Sequence, residues 1–249
     1  MDDDFTRRVL LNLDVENYSA RTDVDQDLVQ RALVDVVEDA AARAGFDLAR
    51  WQVQGSGDGQ LAVLPAETAE KRVVDDLPSA LAVALAAHNG TARRELRLRL
   101  RVAVHQGLVR ATPNGYAGAG VVTVSRMVDS APGRKALKAC PDAVLVVLLS
   151  PLLYADLVVQ GHTRLAPDDF REVPVVTKTF DSTAWLHLPG FDVHAITLDQ
   201  TASPGSEPER EPTAVPVPGA AVPGSHNTTV HGDVRGRNVV IGVQNRFER

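Results

Sequence analysis

The composition of this chain breaks near residue 200, and the break confines any sizeable packed core to what precedes it. Residues 201–225, TASPGSEPEREPTAVPVPGAAVPGS, hold six prolines and no aromatic residue, leucine or isoleucine. Such a stretch cannot bury enough apolar surface to offset its ordering entropy, and its prolines keep it extended. It reads as a disordered linker. After it, HNTTVHGDVRGRNVVIGVQNRFER brings valines and isoleucine back among glycines and asparagines. Three regions follow: a folded domain over 1–199, a proline-rich linker over 200–225, and a short β-prone segment over 226–249.

Within the first region helical and strand patterns mix. RRVLLNLD (7–14) is a short apolar run that reads as a buried strand. Leu28, Ala32, Leu33, Val36, Val37, Ala40, Ala41 and Ala44 recur at helical spacing, so 24–45 is an amphipathic helix closed by Gly45. WQVQ and QLAVLP flank the turn GSGDG and read as a hairpin. Residues 67–89 form a second helix, with Pro78 marking a kink or early break. LRLRLRVAV (96–104) alternates as a strand with one solvated face, and LVRA would pair back on it through Gln106-Gly107. A helix near 119–131, the apolar strand 143–149, a short helix after Pro151, and two late strands, EVPVVTK and AWLHLPG, complete the domain. The fold class is α+β, with helices packed mostly on one face of a mixed, mainly antiparallel sheet.

The charge balance narrows function. A formal net charge of −6 argues against nonspecific binding to nucleic acid or an anionic membrane. The acidic start MDDDF is not a secretory signal, and the longest apolar run, AVLVVLL, is too short to span a bilayer. A single cysteine, Cys140, excludes an internal disulfide framework and a cysteine-rich zinc site; it reads as a small buried hydrophobe. These features together indicate a cytoplasmic protein.

Two carboxylates stand where chemistry could occur. Asp14 ends the first apolar strand, and Asp58 sits in the GSGDG turn. If the two strands are neighbours, both acids emerge at one sheet edge, and paired hard oxygen ligands are what Mg²⁺ or Mn²⁺ requires. Each also has an ordinary reading: Asp-Gly is a strong hairpin signal, and an aspartate after a strand often caps a turn. GSGDGQ and GAGVVT each lack the third glycine of a dinucleotide fingerprint, and no Walker-type GK[ST] occurs.

Three local patterns in one order resemble class III nucleotidyl (adenylate/guanylate) cyclase homology domains. VLLNLDVENYS resembles their first strand; WQVQGSGDGQLAVLP resembles their second metal segment. LRLRVAVHQGLVR followed by GYAGAGVVTVSRM resembles their later hairpin and helix, and STAWLHLPG looks like a late strand of bacterial members. The resemblance covers roughly residues 7–198 and implies a ferredoxin-like core. It makes Asp14 and Asp58 ligands of a two-metal Mg²⁺ or Mn²⁺ site, and Arg126 the group that stabilises charge on a transferring phosphate. It implies a nucleoside triphosphate as ligand, cyclised with loss of pyrophosphate, in a head-to-tail homodimer. Nucleotide contacts would fall at Gln54, Gly57, Tyr116 and Val122.

The departures carry weight. The family's ribose-orienting asparagine is Val122 here, one helical turn before Arg126, and valine cannot hydrogen-bond a sugar. The purine-reading lysine maps to Gln54, and its acidic counterpart falls at Gly115 or Tyr116. Neither adenine nor guanine recognition is supported, whereas the Gln54 amide could read another base edge. The pattern is shared by an enzyme of altered specificity and by a silent adaptor that dimerises through the fold. His105, Tyr18 and Trp185 read as packing residues. The segment after the linker loosely resembles short amyloid-type signalling motifs of bacterial effectors, which implies a protein partner bound by strand addition or stacking.

Overall fold

A computed structural model of the chain describes residues 4–177 and 179–198. The proline-rich stretch and the β-prone segment lie outside the described residues.

The first strand, β1 (Thr6–Val15), is an apolar run because both of its faces are covered. Helix α1 (Asp23–Arg43) follows, its N-terminus capped by Thr22, whose hydroxyl accepts from the Asp25 N–H at 3.2 Å. The GSGDG segment closes the hairpin of β2 (Gln52–Gly55) and β3 (Gly59–Val63). Pro78 does break the second helical segment. It yields α2 (Glu70–Asp75) and α3 (Leu77–Thr91), with the proline in the first turn of α3, where no backbone donor is lost.

The long strand β4 (Leu100–Thr112) corrects the sequence reading in two respects. It begins later than the alternation suggests, because residues 94–96 form a single 3₁₀ turn. It also continues through Gln106-Gly107 without turning. Its return partner is the short strand β5 (Gly115–Ala117), reached after Pro113-Asn114. Nor is one face of the strand solvated: the Arg101 guanidinium is buried against Asp14. Alternation here reports ion pairing inside the molecule, not exposure to water.

Gly107 serves a different purpose from a turn. Helix α4 (Ala119–Val128) crosses the sheet there, and a Cβ on Gly107 would lie 2.7 Å from the Gly120 Cα. Two facing glycines let strand and helix backbones approach. Helix α5 (Ala131–Ala139) was not anticipated, since only Gly133, Ala136 and Leu137 are buried within it. Strand β6 (Leu145–Leu149), the one-turn helix α6 (Pro151–Leu153) continued by a π turn through Val159, and the hairpin β7 (Arg171–Thr177) and β8 (Phe180–His187) complete the domain.

The sheet runs β2-β3-β1-β4-β6-β8-β7, with β5 appended to β4. Among the described residues only β4 and β6 pair in parallel; the other pairs are antiparallel. Helices α1, α2, α3 and α6 cover one face, where Val9, Leu11, Leu13 and Val15 of β1 meet Val29, Leu33, Leu81 and Leu85. The opposite face is covered by α4 and α5, with Leu10, Ala103, Val124, Met127 and Leu137 in its core. Among the described residues no helix is long and apolar enough to cross a membrane.

Candidate functional site

The alternation of β1 sends odd residues to the α1–α3 face and even ones to the α4 face. Asp14 is even and stands in register with Gly59 of β3 and Arg101 of β4. Its position depends on a glycine next door, because a Cβ on Gly59 would sit 2.0 Å from the Leu13 carbonyl oxygen. Asp58 precedes that glycine, at the end of a turn in which Gly57 adopts φ 77°. The Asp58 carbonyl accepts from the Val15 N–H at 2.8 Å, which ties the turn to the residue after Asp14. The two aspartates therefore reach the same end of the sheet on adjoining strands.

Their surroundings differ sharply. Asp58 is exposed, whereas Asp14 is 7% exposed and its carboxylate accepts from the Arg101 guanidinium, itself only 8% exposed. Burial pushes the Arg101 pKa down, the charge of Arg134 adds to this, and Asp129 opposes it. Arg101 was missed as a site residue in the sequence. The signal available was an arginine alternating into a strand beside one ending in aspartate.

Helix α4 presents its own pair. Gly120, Val124, Met127 and Val128 are buried, and Asn12 of β1 donates to the Ser125 hydroxyl at 3.2 Å. With residues 124, 125 and 127 held inward, Arg126 and Val122 share the outer stripe, and Val122 is 53% exposed. Among the described residues Arg126 forms no hydrogen bond or ion pair, so the protomer does not join it to either aspartate. The valine–arginine pairing is not a packing requirement.

Gln54 and the segment of Gly115 and Tyr116 do come together. Gly115 adopts φ 109°, and a Cβ there would lie 2.3 Å from the Gln54 Oε1, so the exposed Gln54 side chain lies against the backbone beside Tyr116. Tyr116 is half-buried against the α4-side core.

The other singled-out residues are structural. His105 lies against Gly107 with its Nδ1 buried and unpartnered, and burial, helped by the charge of Arg7, pushes its pKa down to about 4. Trp185 stacks on Tyr154 with ring centroids 3.6 Å apart. Tyr18 packs on the first core, and its hydroxyl accepts from Gln30 at 2.6 Å. Cys140 is half-buried, and its carbonyl accepts from Arg99.

A divalent cation fits the donor chemistry of Asp14 and Asp58, both hard oxygen ligands at one strand edge. Among the described residues no group of three or more His, Cys, Asp or Glu side chains is arranged to hold a metal. Any cation here would thus draw its remaining ligands from substrate phosphates and water, as Mg²⁺ commonly does.

No protein-family model matches the chain, and no curated protein does. Solved structures do. The chain is similar to an adenylate/guanylate cyclase/hydrolase from Silicibacter pomeroyi, at 17% identity and a TM-score of 0.54, over 76% of this chain and 99% of that one. It is also similar to the guanylyl cyclase Cya2, at 15% identity and a TM-score of 0.50, over 76% of this chain and 93% of that one. Residues 6–187, in this strand order, have the fold of an adenylate/guanylate cyclase domain.

Proposed function

We propose that residues 1–199 form a divergent class III nucleotidyl cyclase-like domain. In this reading it binds a metal–nucleoside triphosphate and converts it to a 3′,5′-cyclic nucleotide with altered base specificity. The observation that carries the reading is the placement of Asp14 and Asp58 on adjoining strand ends within a cyclase fold. In the reaction the 3′-oxygen bonds to the α-phosphorus while the bond from that phosphorus to the pyrophosphate oxygen breaks, and the hydroxyl proton leaves to solvent.

Asp14 and Asp58 would hold Mg²⁺ or Mn²⁺, which when bound supplies charge neutralisation and acidifies the attacking hydroxyl. Arg126, exposed and unpaired among the described residues, would stabilise charge on the α-phosphate from a second protomer placed head-to-tail. Gln54, with Gly57 and Tyr116 near it, would meet the base through an amide able to donate and accept. Val122 would leave the ribose without a hydrogen-bond partner. The loss of one such preorganised contact costs on the order of 10²–10³ in rate.

A second reading draws on the Asp14–Arg101 pair. A carboxylate buried and neutralised within its own chain suits a silent domain that dimerises, while residues 226–249, beyond a linker at 200–225, recruit a protein partner. Incubation of the full chain with each of the four NTPs and Mn²⁺, following pyrophosphate and cyclic product, separates the two. Product that disappears in Asp14→Ala and Asp58→Ala supports the enzyme. Absence of both product and metal-dependent nucleotide binding supports the adaptor. Thioflavin-positive fibres from a peptide of residues 226–249 would support the stacking role of that segment, and a monomeric disordered peptide would remove it.

A further inference from the structure

A second concentration of charge lies beyond the C-terminal end of β1. A cleft of about 700 Å³ is lined by Arg21, Arg94, Arg97 and Arg99, with Glu16 and Asp142 as its carboxylates. Four guanidiniums against two carboxylates leave an excess of positive charge, in a chain whose formal net charge is −6.

The compensation within the cleft is uneven. Arg99 is fully engaged: it pairs with Glu16 at 2.7 Å and donates to the carbonyls of Ala143, Leu137 and Cys140. Arg21 has no carboxylate partner among the described residues. Its guanidinium donates to the carbonyls of Glu95 and Arg97, and its Nε is buried with no partner. Burial pushes its pKa down, against the charges of Asp25 and Glu16. Arg94 and Arg97 are exposed and form no ion pair among the described residues. Elsewhere Arg31, Arg43, Arg50, Arg93 and Arg164 each meet an aspartate or glutamate. Arg21, Arg94 and Arg97, three arginines without a carboxylate partner among the described residues, meet at this one cleft.

The backbone that carries them is held in place. The Asn89 amide accepts from the Leu98 N–H at 2.7 Å and donates to the Leu98 carbonyl at 2.8 Å, which fixes the segment after Arg97 against α3. Arg21 in turn braces the 95–97 carbonyls. No aromatic side chain lines the cleft, so nothing there would stack a base.

We propose that this cleft binds a small polyanion carrying two or more phosphoryl groups. Planar guanidinium forks match phosphate oxygens, and a partly desolvated cation lacking a counter-ion gains most from an anion brought to it. The cleft is separate from the nucleotide reading, since Asp14, Asp58, Arg101 and Arg126 do not line it. It does share Glu16 and Asn17, the turn that continues from Asp14.

The test is calorimetric titration of the full chain with tripolyphosphate in EDTA at low salt, where metal-dependent binding is absent. Saturable one-to-one binding is expected, weakened at least tenfold in Arg94→Gln/Arg97→Gln. It should be unchanged in Arg31→Gln/Arg43→Gln, which alters net charge equally. The exposed positions let the double variant melt like the parent protein. Absence of saturable binding, or binding that survives the double variant, overturns the proposal. So does inorganic phosphate binding as tightly as tripolyphosphate, or a polyglutamate peptide binding more tightly. Loss on Arg126→Ala alone would move the anion to the nucleotide site. None of these outcomes depends on turnover, so failure here is distinct from failure of the NTP assay.

Discussion

Replacing Arg101 with methionine removes one partner of a buried ion pair while keeping a side chain of similar reach. Asp14 and Arg101 are 11% and 10% exposed at their side chains, too little for water to take the place of the missing partner. Breaking such a pair from one side strands a buried charge and costs about 3–5 kcal/mol. In a domain of this size each kcal/mol moves Tm by roughly 2–4 °C, so Arg101→Met should lower Tm by about 6–20 °C. Thermal unfolding of the full chain followed by circular dichroism reads this directly. The double variant Asp14→Asn/Arg101→Met removes both charges and should recover most of the loss, because the pair itself contributes far less than the penalty of leaving half of it. A drop under about 2 °C in the single variant, or additive losses in the double variant, would refute the reasoning. Asp14 would then be solvated, and its pairing would not hold the site.

Three further outcomes follow from the same geometry. Val122→Asn, at an exposed helix position, should leave stability within about 0.5 kcal/mol and, under the cyclase reading, raise turnover by on the order of 10²; unchanged turnover in the NTP assay would dissociate position 122 from the ribose. The His105 pKa is depressed in the fold, so the unfolded chain takes up its proton first: the stabilisation is whole above the ordinary histidine pKa near 6.5 and is lost as pH falls toward about 4. Between pH 6.5 and 5 the parent should lose roughly 1–2 kcal/mol after allowance for partial solvation, and part of that slope should vanish in His105→Gln; the remainder belongs partly to His187, whose pKa burial also lowers. Gly107→Ala should cost about 1–3 kcal/mol by overpacking, since its new Cβ meets the backbone of Gly120, and an unchanged urea midpoint would show that α4 can move aside.

Much of the architecture is local in origin and was legible in the order of residues. The Leu33–Ala44 stripe, the GSGDG turn, the break at Pro78 and the valine-rich run of β6 each follow from short-range propensity and periodicity, although the stripe begins at the buried Val29 and leaves Leu28 exposed. The adjacency of Asp14 and Asp58 was legible only on the condition that their strands pair, and they do. The outward stripe of Val122 and Arg126 follows from the buried spacing of Val124, Met127 and Val128.

What long-range pairing decides was not legible. The alternating arginines at 99 and 101 have the appearance of a solvated strand face until β1 and the turn after it bring Glu16 and Asp14 to meet them. Gly107 resembles a turn glycine until Gly120, thirteen positions later, is found against it. The amino-acid order alone determined most of the helix and strand segments and which acids stand at strand ends, because those depend on neighbours along the chain. The tertiary structure alone decided that Asp14 is neutralised by Arg101 and that Arg21, Arg94 and Arg97, none ion-paired among the described residues, meet at one cleft. Ion pairing and desolvation are set by which side chains meet across strands, and the chain order does not specify those meetings by itself.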